Sequence, residues 1–213
     1  MNQKFLISVD SEKRFLISNN HTATHLLHSA LREILGKHVI QKGSLVNEKY
    51  LRFDFSHFSK IELKTLSQIE LLVNKKIRDN TNLESLENIS LSKAKKMGAM
   101  SLFGEKYGEK VRVVIFDKKY SIELCGGTHA KSTGSLGMFK IISESSVSSG
   151  IRRIEAITSL ELEKKLNSNH NELNEIKKLL KTENLFDTIN NLLLENKKLS
   201  KVQSKFLDNK NKI

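Results

Sequence analysis

Two pairs of metal-ligand side chains, far apart along the chain, constrain its fold more than any other feature. His21-Thr22-Ala23-Thr24-His25 lies in a stretch of helical apolar periodicity, and Cys125-Gly126-Gly127-Thr128-His129 carries the only cysteine. Two imidazole nitrogens from the first motif, with the sulfur and imidazole of the second, make up a tetrahedral zinc set. On a helix the four-residue spacing puts His21 and His25 on one face, roughly 6 Å apart along the axis. Gly126 and Gly127 let the backbone turn sharply beside the second pair. A His-x-x-x-His pair alone is more often ordinary helix packing. The sole cysteine, four residues before another histidine, turns the reading to one Zn2+ held by His21, His25, Cys125 and His129. His28, one heptad from His21, is expected behind the ligands or in the core, and His38 and His57 have no partner at ligand spacing.

Composition narrows the partner and the compartment. Lys and Arg exceed Asp and Glu by 36 to 24, a net charge of +12, which suits a polyanion whose counterions these side chains displace. No apolar run approaches the ~20 residues of a membrane span, so no membrane association is expected. Met1 to Asp10 has no apolar segment of secretory type. A lone cysteine forms no intramolecular disulfide, and cytoplasm is the expected compartment.

Periodicity predicts an α+β fold, an antiparallel sheet with packed helices, ending in a helical tail. Phe5 to Asp10 reads as a short strand and Asn20 as the cap of a helix beginning at His21. That helix buries Leu26, Leu27, Ala30, Leu31, Ile34 and Leu35, and stops at Gly36. A turn at Gly43 precedes the alternating strand Leu51 to Ser56, and Ser59 opens a second amphipathic helix carrying Leu63, Leu66, Ile69, Leu72, Val73 and Ile77. Asn80 to Ser90 reads as a connector, Ser92 to Met97 as a short helix, and Gly104 and Gly108 as loop. Val111 to Phe116, Ser121 to Leu124, Gly137 to Ser145 and Ile151 to Ile157 read as strands. Residues 1–158 thus form one unit and residues 159–213 another. In the second, Leu166, Leu173 and Leu180 repeat in heptads, then Leu185, Leu192, Leu199 and Phe206 in a shifted frame. The expectation is a helical hairpin or coiled-coil arm, with one kinked helix as the alternative, and self-association through this tail.

Longer stretches around the ligand pairs resemble a known family. Asn20 to His28, Gln41-Lys42-Gly43-Ser44-Leu45-Val46, Leu51 to His57 and Cys125 to Ala130 are similar to the editing domain of alanyl-tRNA synthetase. The threonyl-tRNA synthetase editing domain shares both ligand pairs but not the Gln-Lys-Gly-Ser and Arg-Phe-Asp-Phe-Ser stretches. The resemblance runs from about Phe5 into the helical tail.

The resemblance implies hydrolysis of the aminoacyl ester in Ser-tRNA(Ala) and Gly-tRNA(Ala). Such a site is needed because a pocket for alanine excludes glycine poorly and rejects one added hydroxyl only ~100-fold. The family also carries an ATP-dependent aminoacylation core and a small barrel. Neither is visible here, so the chain reads as a fragment of such an enzyme rather than as a free-standing editing protein. Four protein ligands leave the zinc no open position, which favours anchoring over direct activation of water. Gln41 is implied as the residue that orients water or substrate, since an amide is no base. The backbone N–H groups of Gly127 and Thr128 are candidates for the ester carbonyl oxygen. Lys42, Arg152 and Arg153 are candidates for phosphates of the tRNA(Ala) acceptor end.

Overall fold

The computed structural model describes residues 7–101 and 107–210. The chain divides into two compact units, Met1–Glu163 and Lys164–Ile213. The first helix, α1 (Ser11–Leu35), starts ten residues earlier than Asn20 predicts. Its cap is Asp10, whose carboxylate accepts from the Lys13 N–H at 3.0 Å. Of the strand expected over Phe5 to Asp10, Phe5 and Leu6 lie outside the described residues, and Ile7 to Asp10 form no strand. Asn20 resembles a cap in sequence because it is polar and precedes an apolar stripe. In the fold it is a buried cross-link: its amide donates to Asn47 O at 2.9 Å, and its oxygen accepts from the Thr158 hydroxyl at 2.7 Å. The helix ends where the glycine predicts, with Gly36 at φ +116° and its N–H on Arg32 O.

An antiparallel four-stranded sheet is built from β1 (Gln41–Val46), β2 (Leu51–Ser56), β6 (Phe139–Ser148) and β7 (Ile151–Thr158), in the order β1-β2-β7-β6. The Gly43 region is therefore strand rather than turn. A second antiparallel sheet contains β3 (Glu84–Ser90), β4 (Lys110–Asp117) and β5 (Ser121–Leu124), in that order. β3 occupies what reads in sequence as connector, because Glu84-Ser-Leu-Glu-Asn-Ile-Ser lacks an apolar alternation; only Leu86 and Ile89 are part-buried along it. The helix α2 (Leu63–Arg78) begins after Glu62 rather than at Ser59, and Leu63 is exposed rather than on its apolar face. The short helix α3 spans Leu91–Lys96.

The main core joins Leu26, Leu27 and Leu31 of α1 to Phe53 and Phe55 of β2, Ile69 and Val73 of α2, and Ile154 of β7. Phe53, Phe55, Phe116 and Phe139 are fully buried, each contributing about 1.5–3 kcal/mol of transfer free energy. β4 serves two cores through the alternation of a strand. Val114 and Phe116 face the main core, whereas Val111, Val113 and Ile115 face a smaller one with Ala94 of α3 and Leu124 of β5. A strand buried on both faces reads as a near-continuous apolar run, which is how residues 111–116 appear apart from Arg112. Buried Asn74 ties α2 to β6 as a peptide group would: Phe139 N–H donates to its oxygen at 2.9 Å, and its amide donates to Phe139 O at 2.8 Å.

The tail forms two helices, α4 (Ser159–Leu180) and α5 (Leu185–Lys210), rather than one kinked helix. The chain breaks at Lys181, with φ +50°, and Asn184 accepts from Asp187 N–H at 3.2 Å at the start of α5. Leu166, Leu173, Leu192 and Leu199 of the heptad series remain between 48% and 69% exposed. Among the described residues no helix is long and apolar enough to cross a membrane.

Candidate metal centre

α1 and the loop after β5 bring the two ligand pairs together. Among the described residues, one ligand atom from each of His21, His25, Cys125 and His129 lies within 4.8 Å of all the others. The imidazole of His21 stacks on that of His129 at 4.1 Å between centroids, and both cross the His25 ring at 5.1 and 4.5 Å. Cys125 Sγ lies 3.5 Å from His21 Nε2 and 3.4 Å from His129 Nε2. Zinc–sulfur and zinc–nitrogen bonds of about 2.3 and 2.0–2.1 Å at a tetrahedral angle separate their ligand atoms by about 3.5 Å. The donor set and spacing therefore fit a zinc ion.

The surroundings select the ring nitrogen that each histidine offers. His21 Nδ1 lies 3.0 Å from Thr128 O, so it carries the proton and Nε2 is left with a lone pair. His129 Nδ1 lies 3.2 Å from the Thr22 hydroxyl, which also accepts from Ala130 N–H at 3.0 Å. His25 Nδ1 faces Glu123 Oε2 at 3.4 Å. His21 and His129 are thus held on the Nδ1 side by hydrogen bonds, whereas His25 Nδ1 faces the carboxylate without one. Burial keeps all three rings neutral, the ligand form. Desolvation pushes His129 down to about 2, reinforced by His21 and Arg112. Desolvation likewise lowers His25 well below the ordinary value, with His129 and His21 adding to it. It lowers His21 too, although the Thr128 carbonyl and Glu123 act in the opposite direction.

The loop is shaped around the ligands. A Cβ on Gly127 would sit 2.7 Å from His21 Nδ1 and closer still to its Cε1, so only glycine admits the ring at that place. Gly126 has open space at the same point. Gly127 N–H donates to Cys125 Sγ at 3.4 Å. Arg112 of β4 donates to the carbonyls of Cys125 and Gly127, and its Nε contacts Ser85 and Glu87 at 2.8 Å.

A cavity of about 560 Å³ opens beside the cluster, lined by His21, His25, Cys125, Gly126 and Gly127 together with Thr24, Leu124, Gln41 and Ser44. Gln41 and Ser44, three apart, would face opposite sides of a regular strand. Lys42 is an extra residue between the pairs Gln41–Phe55 and Gly43–Asp54, and this bulge turns both side chains toward one cavity. Thr128 is not among the lining residues. Its carbonyl serves His21, and the residue borders a separate hollow with Lys13 and Ile17.

The arginines expected to meet phosphate stand on β7, already engaged. Arg153 is bidentate to buried Asp54 at 2.7 and 2.8 Å, and Arg152 pairs with Glu144. His28 is buried behind His25, with Nδ1 3.3 Å from Glu123 Oε1. His38 and His57 bond to each other at 2.9 Å. Thr22, Arg112 and Glu123 escape notice in sequence reasoning. The signal available for the last two is a charged residue inside an apolar strand, in Val-Arg-Val-Val and Ser-Ile-Glu-Leu.

Residues 111–155 match the family model described as the threonyl and alanyl tRNA synthetase second additional domain. The alanine–tRNA ligase of Cytophaga hutchinsonii is 52% identical over 201 residues, 94% of this chain and 23% of that protein. Over this span the chain belongs to the alanyl-tRNA synthetase family. The alanine–tRNA ligases of Bacteroides thetaiotaomicron, 54% identical over 171 residues, and Saccharophagus degradans, 49% over 195, match 80% and 91% of the chain. These cover 19% and 22% of the relatives' own length, so the chain spans about a fifth to a quarter of the alanyl-tRNA synthetases it matches. The family model joins the threonyl and alanyl branches; the whole-chain identities speak for the alanyl one.

Proposed function

We propose that this chain hydrolyses the ester of mischarged tRNA(Ala), releasing serine or glycine, with one zinc ion bound by His21, His25, Cys125 and His129. The observation that carries the reading is that Gln41 shares a single cavity with His21, His25 and Cys125. When bound, zinc supplies a fixed positive centre to anchor the aminoacyl end. Gln41 orients the attacking water or the substrate by hydrogen bonds, since its amide cannot serve as a base at neutral pH. Gly127 lines the cavity, and its N–H would exchange its bond to Cys125 Sγ for one to the ester carbonyl oxygen; Thr128 lies outside the lining and would reach that oxygen only if the loop shifts. The Ser44 hydroxyl gives the cavity a polar group that a seryl side chain can bond and an alanyl methyl leaves unpaired. A volume of about 560 Å³ suits an aminoacyl-adenosine end.

The net charge of +12 supports tRNA as the partner. Lys42, bulged beside Gln41, is one candidate for acceptor-end phosphate. Arg152 and Arg153 would have to exchange Glu144 and Asp54 for it. Residues 1–158 carry the activity, and residues 159–213 form an arm whose exposed heptad leucines are available for self-association. The working compartment is the cytoplasm, where charged tRNA is used.

The test is a deacylation assay on the zinc-loaded chain with Ser-tRNA(Ala), Gly-tRNA(Ala) and Ala-tRNA(Ala). Serine and glycine are released, alanine is spared, and Gln41→His slows release. Phosphate contacts make tRNA binding weaken steeply between low and moderate salt. Binding without release would make this a non-catalytic tRNA-binding zinc module. Equal rates for Gln41→His and the unaltered chain would remove Gln41 from the mechanism.

A further inference from the structure

Glu123 has no assigned part in this site, yet its placement is costly enough to need a reason. It is 1% exposed, on the inward side of β5 and two residues before Cys125. A carboxylate taken out of water loses several kcal/mol unless it is well partnered. Its two oxygens meet two histidines of α1. Oε2 lies 3.4 Å from His25 Nδ1, and Oε1 lies 3.3 Å from His28 Nδ1. These residues stand three apart and so share one face of the helix. Both histidine side chains are buried, and these are ion-pair approaches rather than formed hydrogen bonds: among the described residues His25 Nδ1, His28 Nδ1 and Glu123 Oε1 have no hydrogen-bond partner, so the Glu123 carboxylate is the acceptor each ring faces.

We propose that Glu123 is a positioning residue for the metal, a buried fork that holds His25 by Nδ1 so that Nε2 faces the cluster, with His28 as the second tine that keeps the carboxylate aimed. His25 needs such a device more than the other ligands. His21 is held by the Thr128 carbonyl and His129 by the Thr22 hydroxyl, whereas His25 Nδ1 makes no hydrogen bond and has only the Glu123 carboxylate at ion-pair distance. Both carboxylate oxygens accept, so both histidines present Nδ1–H to it and both take the same tautomer. An amide in its place offers one acceptor and one donor. One ring must then turn its lone pair toward the amide, and the metal-facing nitrogen of His25 loses its fixed state. Phe53 packs beside the His28 ring at 5.2 Å between centroids, and His28 is buried.

The inference rests on zinc binding at the four-residue cluster, and the experiment separates the two. Zinc dissociation constants are measured by chelator competition for the full chain, for Glu123→Gln and for His28→Leu. Ring-nitrogen NMR of the unaltered zinc-loaded chain reports which nitrogen of His25 carries the proton. The expected results are a proton on Nδ1 of His25, a roughly 10–100-fold weaker affinity for Glu123→Gln, and a smaller loss for His28→Leu. An unaltered chain that takes up no zinc removes the metal reading itself. An unaltered chain that binds zinc through Nδ1 of His25, or equal affinity in Glu123→Gln, overturns the fork alone. If Glu123→Gln fails to fold, the tautomer of the unaltered chain decides.

Discussion

Replacing Gly127 with alanine adds one carbon and should disable the metal centre. The new Cβ would lie 2.7 Å from His21 Nδ1, against an ordinary carbon contact of 3.5–4.0 Å. The ring must retreat by on the order of 1 Å, since its other neighbour is the stacked His129 ring and the loop is clamped by Arg112. Zinc tolerates ligand distances within about 0.2 Å. The displaced imidazole therefore stops ligating. If a structural zinc site contributes ~10–16 kcal/mol and four ligands share it evenly, losing one costs about 3 kcal/mol. That is a loss in affinity of about 100-fold. Gly127 is not among the glycines with positive φ, so the backbone accepts alanine without strain. Gly126→Ala is the matched control: it sits next door, also lacks a positive φ, and its Cβ would meet nothing within 4 Å. Chelator competition on both variants, with cobalt absorption reporting tetrahedral geometry, makes the comparison. Equal affinities for the two alanine variants would refute the claim that the glycine exists to admit His21.

Three further outcomes follow from contacts elsewhere. Arg112→Met frees the carbonyls of Cys125 and Gly127 and should weaken zinc binding about tenfold, read by the same competition. Asn74→Ala strands the N–H and C=O of buried Phe139 and should cost about 2–4 kcal/mol in denaturant melts, without changing the cavity. Lys76, 2.7 Å from Asp117, holds that carboxyl below its ordinary 3.8 by a side-chain hydrogen bond, with the Lys119 N–H adding to it. The stability this supplies is present above the unfolded value and is lost as pH falls through the lower folded one. Lys76→Met should therefore cost under about 1 kcal/mol near neutrality, and the difference should vanish in acid.

Much of the site is legible in the sequence because metal ligands leave a sharp trace. Cysteine and histidine at fixed spacing, with glycines where the backbone must come close, name both pairs before any fold is known. Gln41 is legible only by resemblance, since nothing in Gln-Lys-Gly-Ser reveals the bulge that turns Gln41 and Ser44 to one side. The start of α1 is misread because Ser18, Asn19 and Asn20 interrupt its apolar pattern. These side chains are buried yet bonded, Asn19 to Ser135 O and Ser159 and Asn20 to Asn47 O and Thr158, so tertiary hydrogen bonds replace the periodicity. β3 is missed for a related reason: it is an edge strand with little buried surface, and pairing with β4 rather than sequence pattern makes it a strand. Glu123 is hidden because an acidic residue in Ser-Ile-Glu-Leu looks solvent-facing until α1 is laid against it.

The central claim is that two distant motifs close on one ion. X-ray absorption at the zinc edge of the purified, zinc-loaded chain measures this directly. The account predicts one ion per chain with one sulfur at about 2.3 Å and three imidazole nitrogens at about 2.0–2.1 Å. A first shell without sulfur, or one unchanged by Cys125→Ser, would contradict it.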